Sequence, residues 1–303
     1  MKSTERYYSL SSYLKETYGA ALRKVSIDAG FTCPTRDGTI TTGGCAYCNA
    51  DTLRFEDNSQ KLAITEQINN GIARLGEKTA PGVIAYFQVN TNTYKDADTL
   101  KKLYLEAATH PKVRIVAVST RPDCLEDSAL DILEDIRKTK PVWLEMGLQS
   151  SNDATLKAIN RGHTQKDFDD ALKKAVKRNL DVCGHVILGL PGEDKETMLK
   201  SVRFLARRGI WGIKLHQLDI VKDTLFAAKY ECGRIKTLSL DEYAEIVVES
   251  LELLPASTVI HRLSGDTKKE LLVSPLWGLE KLKVKNKIEK LLTEKNTRQG
   301  AKY

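Results

Sequence analysis

A repeating order of short apolar segments and longer amphipathic ones places the narrowest limit on how this chain can fold. The predicted strands are Leu22–Ile27, Val83–Gln88, Arg114–Ser119, Val142–Leu148, Val182–Leu188 and Gly212–Leu218. Apolar residues at helical spacing predict helices at Ile64–Leu75, Thr99–Thr109, Ala129–Arg137, Phe168–Arg178 and Glu196–Arg208. Such alternation is typical of a parallel sheet with right-handed crossovers. Because six strands are too few for a closed eight-stranded barrel, we predict an α/β fold, a partial (β/α)6 TIM-like barrel with its active site at the carboxyl ends of the strands.

The pattern changes after the sixth strand. A capping box of Ser239 and Glu242 predicts a helix at Leu240–Leu254, and Val259–Arg262 has the composition of a short strand. A basic helix is predicted near the end of the chain. We therefore expect residues 1–221 to form the barrel core and residues 222–303 to form a C-terminal α+β extension.

The composition is that of a globular protein, since 41% of the 303 residues are hydrophobic and 29% are charged. No apolar run approaches the roughly 20 residues that span a bilayer, and the first ten residues lack the apolar core of a signal peptide. We therefore expect a cytoplasmic protein without a membrane partner. The formal net charge is +7, and the segment from Glu280 to Tyr303 carries eight basic and three acidic residues. This segment is either a solvated helix face or a contact for nucleic-acid phosphates.

Three of the six cysteines, Cys33, Cys45 and Cys48, lie in a glycine-rich loop after the first predicted strand. A structural zinc site has four protein ligands, and this loop contains no histidine. A [4Fe–4S] cluster held by three cysteines leaves one iron open for a small chelating ligand. We therefore predict a cluster, with a zinc site or uninvolved thiols as alternatives. The other cysteines are dispersed, and we predict that they are mostly buried small apolar residues: Cys124, Cys183 and Cys232.

The cysteine loop, read from Cys33 to Asn49, resembles the radical S-adenosylmethionine (SAM) superfamily, and within it the YhcC/YtqA-type proteins. Its C-x11-C-x2-C spacing departs from the common C-x3-C-x2-C, but is similar to the long first gap of the Elongator catalytic subunit, which modifies wobble uridine. The resemblance implies a cluster that cleaves bound SAM to a 5′-deoxyadenosyl radical. It continues through Gln88–Tyr94, Ser119–Cys124, Glu145–Ser150, Asn160–His163, Gly189–Glu193 and His261–Asp266.

The resemblance also implies which residues contact SAM. Gln88 and Asn90 would accept hydrogen bonds from its ammonium group, and Arg161 would form a fork with its carboxylate. A polar turn and a surface salt bridge are the alternatives for these positions. Glu145 would contact the ribose, although an arginine partner would also satisfy a buried carboxylate.

The strand ending at Leu188 resembles the adenine-contacting strand of the superfamily, with Ile187 and Gly189 as the matching residues. A tight strand-to-helix turn is the alternative. Arg121 either touches the substrate or pairs with Asp123. Lys214 and His216 share a strand face and suit an anionic or polar substrate, although a core histidine is equally compatible. A further polar cluster could close over the substrate: His261, Arg262 and Asp266.

Three features favour tRNA as the substrate: the positive charge, the basic terminal helix and the likeness to a wobble-uridine enzyme. The YhcC/YtqA resemblance implies maturation of a 5-carboxymethylaminomethyl side chain on wobble uridine, with an electron donor such as flavodoxin or ferredoxin. One alternative is a radical SAM enzyme that acts on a small metabolite such as a tetrapyrrole, by resemblance to oxygen-independent coproporphyrinogen oxidase. Another is a non-catalytic, zinc-containing RNA-binding protein.

Overall fold

A computed structural model describes residues 5–54 and 58–303 of the chain. Within these residues the strands are Arg23–Ile27 (β1), Val83–Phe87 (β2), Val113–Thr120 (β3), Val142–Gln149 (β4), Asp181–Leu188 (β5), Gly212–Gln217 (β6), Ile220–Val221 (β7), Val259–Arg262 (β8) and Leu272–Ser274 (β9). The helices are Leu10–Tyr18 (α1), Ile64–Leu75 (α2), Ala97–Thr109 (α3), Asp127–Arg137 (α4), Asp153–Ala158 (α5), Gln165–Lys177 (α6), Lys195–Ala206 (α7), Leu225–Glu231 (α8), Leu240–Leu253 (α9) and Lys281–Glu294 (α10).

Seven parallel strands form one curled sheet in the order β1-β2-β3-β4-β5-β6-β8. The predicted partial TIM-like barrel is therefore confirmed, and each of the six predicted strands is present. The seventh strand, β8, comes from the C-terminal extension and pairs with β6. In the described residues no ladder joins β1 to β8, so the barrel stays open between these two edges.

Alternate residues of each strand face opposite layers. The outward-facing residues, such as Val25 in β1 and Val116 in β3, pack against the surrounding helices in the main hydrophobic core. The inward-facing residues form layers along the barrel axis, as in closed barrels. The lowest layer is an apolar plug that α1 covers from below, in which Tyr13 contacts both Trp143 and Trp211.

The basic C-terminal helix α10 packs on α9 through Val284, Ile288 and Leu292, which are buried. Its lysines lie on the surface, and each forms an ion pair with a carboxylate. The pairs are Lys281–Asp266, Lys283–Glu280, Lys285–Glu289, Lys287–Asp241 and Lys290–Glu294. This arrangement favours the interpretation of α10 as a solvated, ion-paired helix face.

None of the helices formed by residues 5–54 and 58–303 is long and apolar enough to cross a membrane. The boundary predicted at residue 221 falls at the end of β7, and it remains a prediction. The extension is joined closely to the barrel, since β8 completes the sheet and β7 pairs antiparallel with β9.

Candidate active site in the barrel

The three clustered cysteines lie on a loop whose shape is set by its own turns. The carbonyl of Cys33 accepts a hydrogen bond from the N–H of Arg36 at 2.8 Å, and the carbonyl of Cys45 accepts one from the N–H of Cys48 at 2.9 Å. Gly44 has a φ of +76°, and a Cβ there would lie 3.3 Å from the Arg36 side chain. A glycine at this position therefore permits both the turn and the close approach of Arg36.

The turn between α5 and α6 clamps the cysteine loop in place. The side-chain amide of Asn160 donates to the carbonyl of Gly44 at 2.7 Å and to that of Thr42 at 3.1 Å. The N–H of Ala46 donates to the carbonyl of Ile159 at 2.9 Å. The Asn-Arg-Gly-His string noted in the sequence thus begins with a residue that fixes the loop from outside.

All three thiols line one cavity of about 160 Å³, here called the cysteine cavity. Two of them lie next to a guanidinium group: Arg36 Nη2 is 3.4 Å from Cys48 Sγ, and Arg161 Nη1 is 3.7 Å from Cys45 Sγ. Because a guanidinium donates and cannot accept, the Arg36 contact favours the thiolate form of Cys48 over the thiol.

Burial acts in the opposite direction on these thiols. It raises the pKa of Cys33, against a 3.0 Å hydrogen bond with Thr91 and the charge of Arg161. Burial and the neighbouring Cys45 also raise the pKa of Cys48, and the Arg36 contact opposes them. Thiolates at such buried positions need further positive charge to be stable. A metal centre supplies this charge, and its binding displaces the thiol protons.

The donor set fits an iron–sulfur cluster. Soft thiolate ligands select such clusters or zinc, and a [4Fe–4S] cluster is larger than a single ion. Within residues 5–54 and 58–303, no group of three or more His, Cys, Asp or Glu side chains is arranged to hold a metal ion. Three thiols on one cavity, two of them beside guanidinium groups, suit a cluster that keeps one iron open for another ligand.

Arg161 is 8% exposed and is held by three contacts. It donates to His163 Nε2 at 3.0 Å, to the carbonyl of Gly147 at 3.2 Å and to Cys45 Sγ. Burial and the charge of Arg161 lower the pKa of His163 to about 3, so this imidazole stays neutral and accepts. A Cβ on Gly147 would lie 2.6 Å from Arg161, so the glycine makes room for the guanidinium.

The structure brings the residues predicted for the SAM amino and carboxylate groups to the cysteine cavity, whose walls include Gln88, Asn90 and Arg161. Asn90 has a φ of +64° and donates to the carbonyl of Phe31 at 2.8 Å. Gln88 accepts from Ser26 at 3.1 Å. Their roles toward SAM remain predictions.

Arg121 also lines the cysteine cavity, and it forms the pair that the sequence left open. Its Nε and Nη2 donate to the two carboxylate oxygens of Asp123 at 3.0 and 2.7 Å. Arg121 is 2% exposed, so this bidentate pair stabilises a buried charge at the wall of the cavity. A substrate contact for Arg121 remains a prediction.

A second cavity of about 230 Å³, here called the chamber, adjoins the cysteine cavity because both are lined by Tyr47, Gln88 and His185. The predicted adenine and substrate residues that line the chamber are Ile187, Lys214, His216 and Arg262. Lys214 and His216 share one face of β6, as their two-residue spacing predicted, and that face points into the barrel. Their positions are thus suited to contact a molecule that extends from the cysteine cavity toward the interior of the barrel.

Below the chamber lies a layer of charged and polar residues, here called the ionic layer: Lys24, Tyr86, Glu145, His185 and Lys214. Glu145 is fully buried and accepts hydrogen bonds from Lys24 at 2.7 Å, from His185 at 3.2 Å, and from Tyr86 and Lys214. Because protein partners satisfy both carboxylate oxygens, Glu145 needs neither a ribose nor an arginine to be stable in the barrel. Its predicted ribose contact remains a prediction.

Two predicted residues lie outside the walls that the described residues give to both cavities. His261 was expected to close over the substrate, but its side chain is 0% exposed and packs between Trp143 and Trp211 in the apolar plug. The reason is the register of β8, which turns His261 into the barrel interior. Gly189 has a φ of +91° and faces Leu238, as expected for the alternative of a tight strand-to-helix turn.

Comparison with known proteins gives the family. The model described as the radical SAM superfamily matches residues 38–205, and that of the radical SAM C-terminal domain matches residues 210–294. The chain belongs to the radical SAM superfamily. Superfamily members use a [4Fe–4S] cluster and SAM, which agrees with the donor set of the cysteine cavity.

Several radical SAM relatives cover most of the chain. YtqA of Bacillus subtilis is 36% identical over 298 residues, which is 98% of this chain and 92% of YtqA. YhcC of Escherichia coli K12 is 37% identical over 266 residues, covering 87% of this chain and 85% of YhcC. A tRNA-2-methylthio-N(6)-dimethylallyladenosine synthase of Endomicrobium trichonymphae is 24% identical over 260 residues, covering 82% of this chain and 59% of the synthase.

Solved radical SAM structures share the fold. Elp3 of the archaeon Methanocaldococcus infernus superposes with a TM-score of 0.68 at 15% identity, covering 92% of this chain and 64% of Elp3. SuiB of Streptococcus suis, in its SAM-bound structure, gives a TM-score of 0.54 at 13% identity, covering 83% of this chain and 53% of SuiB. These similarities confirm the predicted barrel.

Sequence reasoning missed part of this radical SAM site: Lys24, Arg36 and Tyr86 were not predicted. Lys24 and Tyr86 left a signal, since Lys24 lies two positions before the polar Ser26 in β1, and Tyr86 lies two positions before Gln88, which directly follows β2. Strands buried on both faces usually read as continuous apolar runs, so polar residues at a period of two mark the inner wall of the barrel. Arg36 gave no comparable signal, because its contact with Cys48 depends on the fold of the loop.

Proposed function

We propose that this radical SAM protein modifies the side chain of a wobble uridine in tRNA, in the maturation of a 5-carboxymethylaminomethyl-type group. The observation that carries the proposal is the shared wall of the two cavities. Tyr47, Gln88 and His185 line both, so a molecule bound beside the cysteines is in contact with the space that would receive the substrate.

In this proposal Cys33, Cys45 and Cys48 hold the [4Fe–4S] cluster. When bound, the cluster supplies the one-electron reduction that cleaves the sulfonium bond of SAM and starts radical chemistry on the substrate. Arg36 and Arg161 balance the charge of the thiolates. The electron would come from a small donor protein such as flavodoxin or ferredoxin.

The cavity walls then orient SAM. Gln88 and Asn90 would accept hydrogen bonds from its ammonium group, and Arg161 would face its carboxylate. Ile187 supplies an apolar surface for the adenine at the chamber wall. The closed apolar plug below and the clamped cysteine loop above keep water away from the reacting atoms, which protects reactive species from side reactions.

The proposal of tRNA rests on three supports. An Elp3 structure shares the fold over 92% of this chain. A relative that aligns with 82% of the chain is named as a tRNA-2-methylthio-N(6)-dimethylallyladenosine synthase. The chain is also basic, with a net charge of +7. An enzyme that acts on a base brings that base out of its stack into a pocket, and in this proposal the chamber receives the base.

The cluster is tested by anaerobic reconstitution with iron and sulfide. We expect about four irons per chain, a brown protein, and formation of 5′-deoxyadenosine from SAM with reduced flavodoxin. Cys45→Ser should lose all three. Cys232→Ser is the matched control, because Cys232 is exposed and lies outside both cavities. A colourless protein that holds one zinc after reconstitution contradicts the proposal.

The substrate is tested by deleting the gene and analysing tRNA nucleosides by mass spectrometry. We expect loss of one modified wobble uridine and accumulation of its precursor. An unchanged nucleoside profile, together with intact SAM cleavage, contradicts the tRNA proposal and leaves the radical SAM activity standing. A small metabolite such as a tetrapyrrole would then be the class to test.

A further inference from the structure

The ionic layer contains more positive charge than its carboxylate balances. Two ammonium groups, Lys24 and Lys214, share the single carboxylate of Glu145. The Glu145 side chain is 0% exposed and that of Lys214 is 4% exposed, so water screens neither charge. Lys24 is 22% exposed and also lies 4.5 Å above the ring of Tyr86. Among residues 5–54 and 58–303, one positive charge of this layer therefore has no carboxylate of its own.

The neighbouring groups do not supply the missing negative charge. Burial lowers the pKa values of His185 and His216 and raises that of Tyr86, so all three are neutral near pH 7. Of the described residues, the two carboxylates that line the chamber have other partners. Asp266 pairs with Arg262 and Lys281, and Asp219 accepts hydrogen bonds from Thr267 and Gln217.

A buried charge without a partner costs several kcal/mol, unless it loses its proton or gains an ion of opposite sign. Lys214 shows the first response: burial lowers its pKa to about 7, despite the opposing effect of Glu145. Lys214 can also gain an ion of opposite sign, because it lines the chamber. Arg262 lines both the chamber and a cavity of about 220 Å³ beside Lys24 and brings a guanidinium to the same place.

We propose that Lys214, with Lys24 and Arg262, forms a binding site for an oxyanion of the substrate. The proposal rests on the chamber being the substrate site, as in the proposed function, and it adds the chemical class of the group that enters deepest. That group is a carboxylate on the modified base or a phosphate of the nucleotide. In either case the oxyanion completes the charge balance of the ionic layer.

The site also fixes the direction of the bound substrate. Glu145 lies four residues before Gln149 along β4, and Gly147 and Gln149 line the cysteine cavity. At about 3.3 Å per residue, Glu145 lies roughly 7 Å along the strand from Gly147 and roughly 13 Å from Gln149. The oxyanion would therefore point away from the cysteines, and the carbon that reacts would lie between the oxyanion and SAM.

The first experiment probes the site without RNA. Urea unfolding of the anaerobically reconstituted protein is measured in chloride, acetate and phosphate at constant ionic strength, for the wild type and two variants. Lys214→Met removes the proposed site and leaves Glu145 with Lys24 alone, so its charges are balanced. Lys290→Met is the control, since Lys290 is an exposed lysine of α10 paired with Glu294.

We expect acetate or phosphate, relative to chloride, to stabilise the wild type and Lys290→Met more than Lys214→Met, because the general effect of each salt is common to all three proteins. Equal stabilisation of all three contradicts the proposal. If Lys214→Met does not fold, Lys24→Met takes its place, because Lys24 is partly exposed and its loss also restores the balance.

The second experiment distinguishes the two sources of oxyanion. Affinity is measured for two anticodon stem-loop RNAs of one sequence, one with 5-carboxymethylaminomethyluridine at the wobble position and one with plain uridine. A loss of tenfold or more in Lys214→Met for the carboxylate-bearing RNA alone assigns the site to the carboxylate. An equal loss for both RNAs assigns it to phosphate.

If Lys214→Met binds RNA as tightly as the wild type does, the proposal of an oxyanion site is overturned and the tRNA proposal stands. The reverse outcome is also distinct. If the wild type binds neither RNA but shows the anion-dependent stabilisation that Lys214→Met lacks, the tRNA proposal fails and the oxyanion site stands.

Discussion

The lysines of α10 and those of the ionic layer differ in their exposure and in the number of carboxylates that pair with them. The five lysines of α10 are 33% to 69% exposed, and each has its own carboxylate partner. Lys24 and Lys214 share one carboxylate inside the barrel. The surface helix is the more basic segment of sequence, but within the part of the chain that the structure describes, it is the barrel interior where two lysines share one carboxylate.

This difference shows that the number of charged residues in a segment does not set the free energy that each charge contributes. An exposed ion pair contributes about 0–1 kcal/mol because water and salt screen it. A buried charge that loses its partner costs about 3–5 kcal/mol. One uncompensated lysine in the barrel therefore constrains the ligand of this protein more than the whole basic face of α10 does.

The largest effect is expected for Glu145→Gln, which leaves Lys24 and Lys214 without a carboxylate. We expect the free energy of unfolding in urea to fall by about 3–5 kcal/mol. Glu294→Gln on α10 is the control, with an expected change below about 1 kcal/mol. The double variant with Lys214→Met should regain part of the loss. Equal effects of the two glutamate substitutions would erase the contrast between the regions.

A smaller loss is expected for Ile288→Ala, which removes an apolar contact between α10 and α9. Ile288 is fully buried, so the free energy of unfolding should fall by about 2–4 kcal/mol. This variant separates the apolar side of α10 from its lysines. If it is neutral while lysine substitutions on α10 are costly, the ion pairs rather than the buried stripe hold this helix.

A third test concerns pH. The pKa of Lys214 is lowered to about 7, so the protonated form that binds an oxyanion predominates below pH 7 and is lost above it. We expect kcat/KM for the RNA substrate to fall about tenfold per pH unit above pH 8, since kcat/KM reports the free enzyme. Lys214→Arg should move this limb to higher pH, because arginine stays protonated. A flat profile to pH 9 contradicts this role. Among the described residues, the charged and titratable groups that face Lys214 are Lys24, Tyr86, Glu145, Cys183, His185, His216, His261, Arg262 and Asp266.

The smallest effect is expected for Lys285→Gln and Lys290→Gln on α10. Each pair partner is at least 42% exposed, so each substitution should change the free energy of unfolding by less than about 0.5 kcal/mol. The salt dependence of RNA binding should also stay unchanged, which is measured as the slope of log affinity against log salt. A slope that falls by about one for either variant would mean that α10 contacts phosphate.

The sequence predicted the elements that depend on periodicity. The helix expected at Ile64–Leu75 has those bounds in the structure, and the inner faces of β4 and β6 follow from two-residue alternation. The cysteine loop was predictable because C-x-x-C spacing and glycines are local features. The strand at Val259–Arg262 was also predicted, but its place in the sheet was not, because only its pairing with β6 makes it the seventh strand.

Pairings between distant strands account for the rest of what was missed. Glu145 stood out as a buried carboxylate, but its partners come from β1, β2, β5 and β6, and no local pattern joins them. His261 shared a motif with Arg262 and Asp266, yet a register shift between β6 and β8 separates their environments. Motif strings show which residues belong to a site, and the sheet register decides which of them touch.

The hydrogen bonds of Asn160 to the cysteine loop bear on the conformation of this loop after loss of the metal. Hydrogen bonds between protein groups hold the backbone of the loop in shape. We expect a chain that has lost its metal to oxygen to keep the three thiols in position. A cluster can then be inserted again without refolding of the loop.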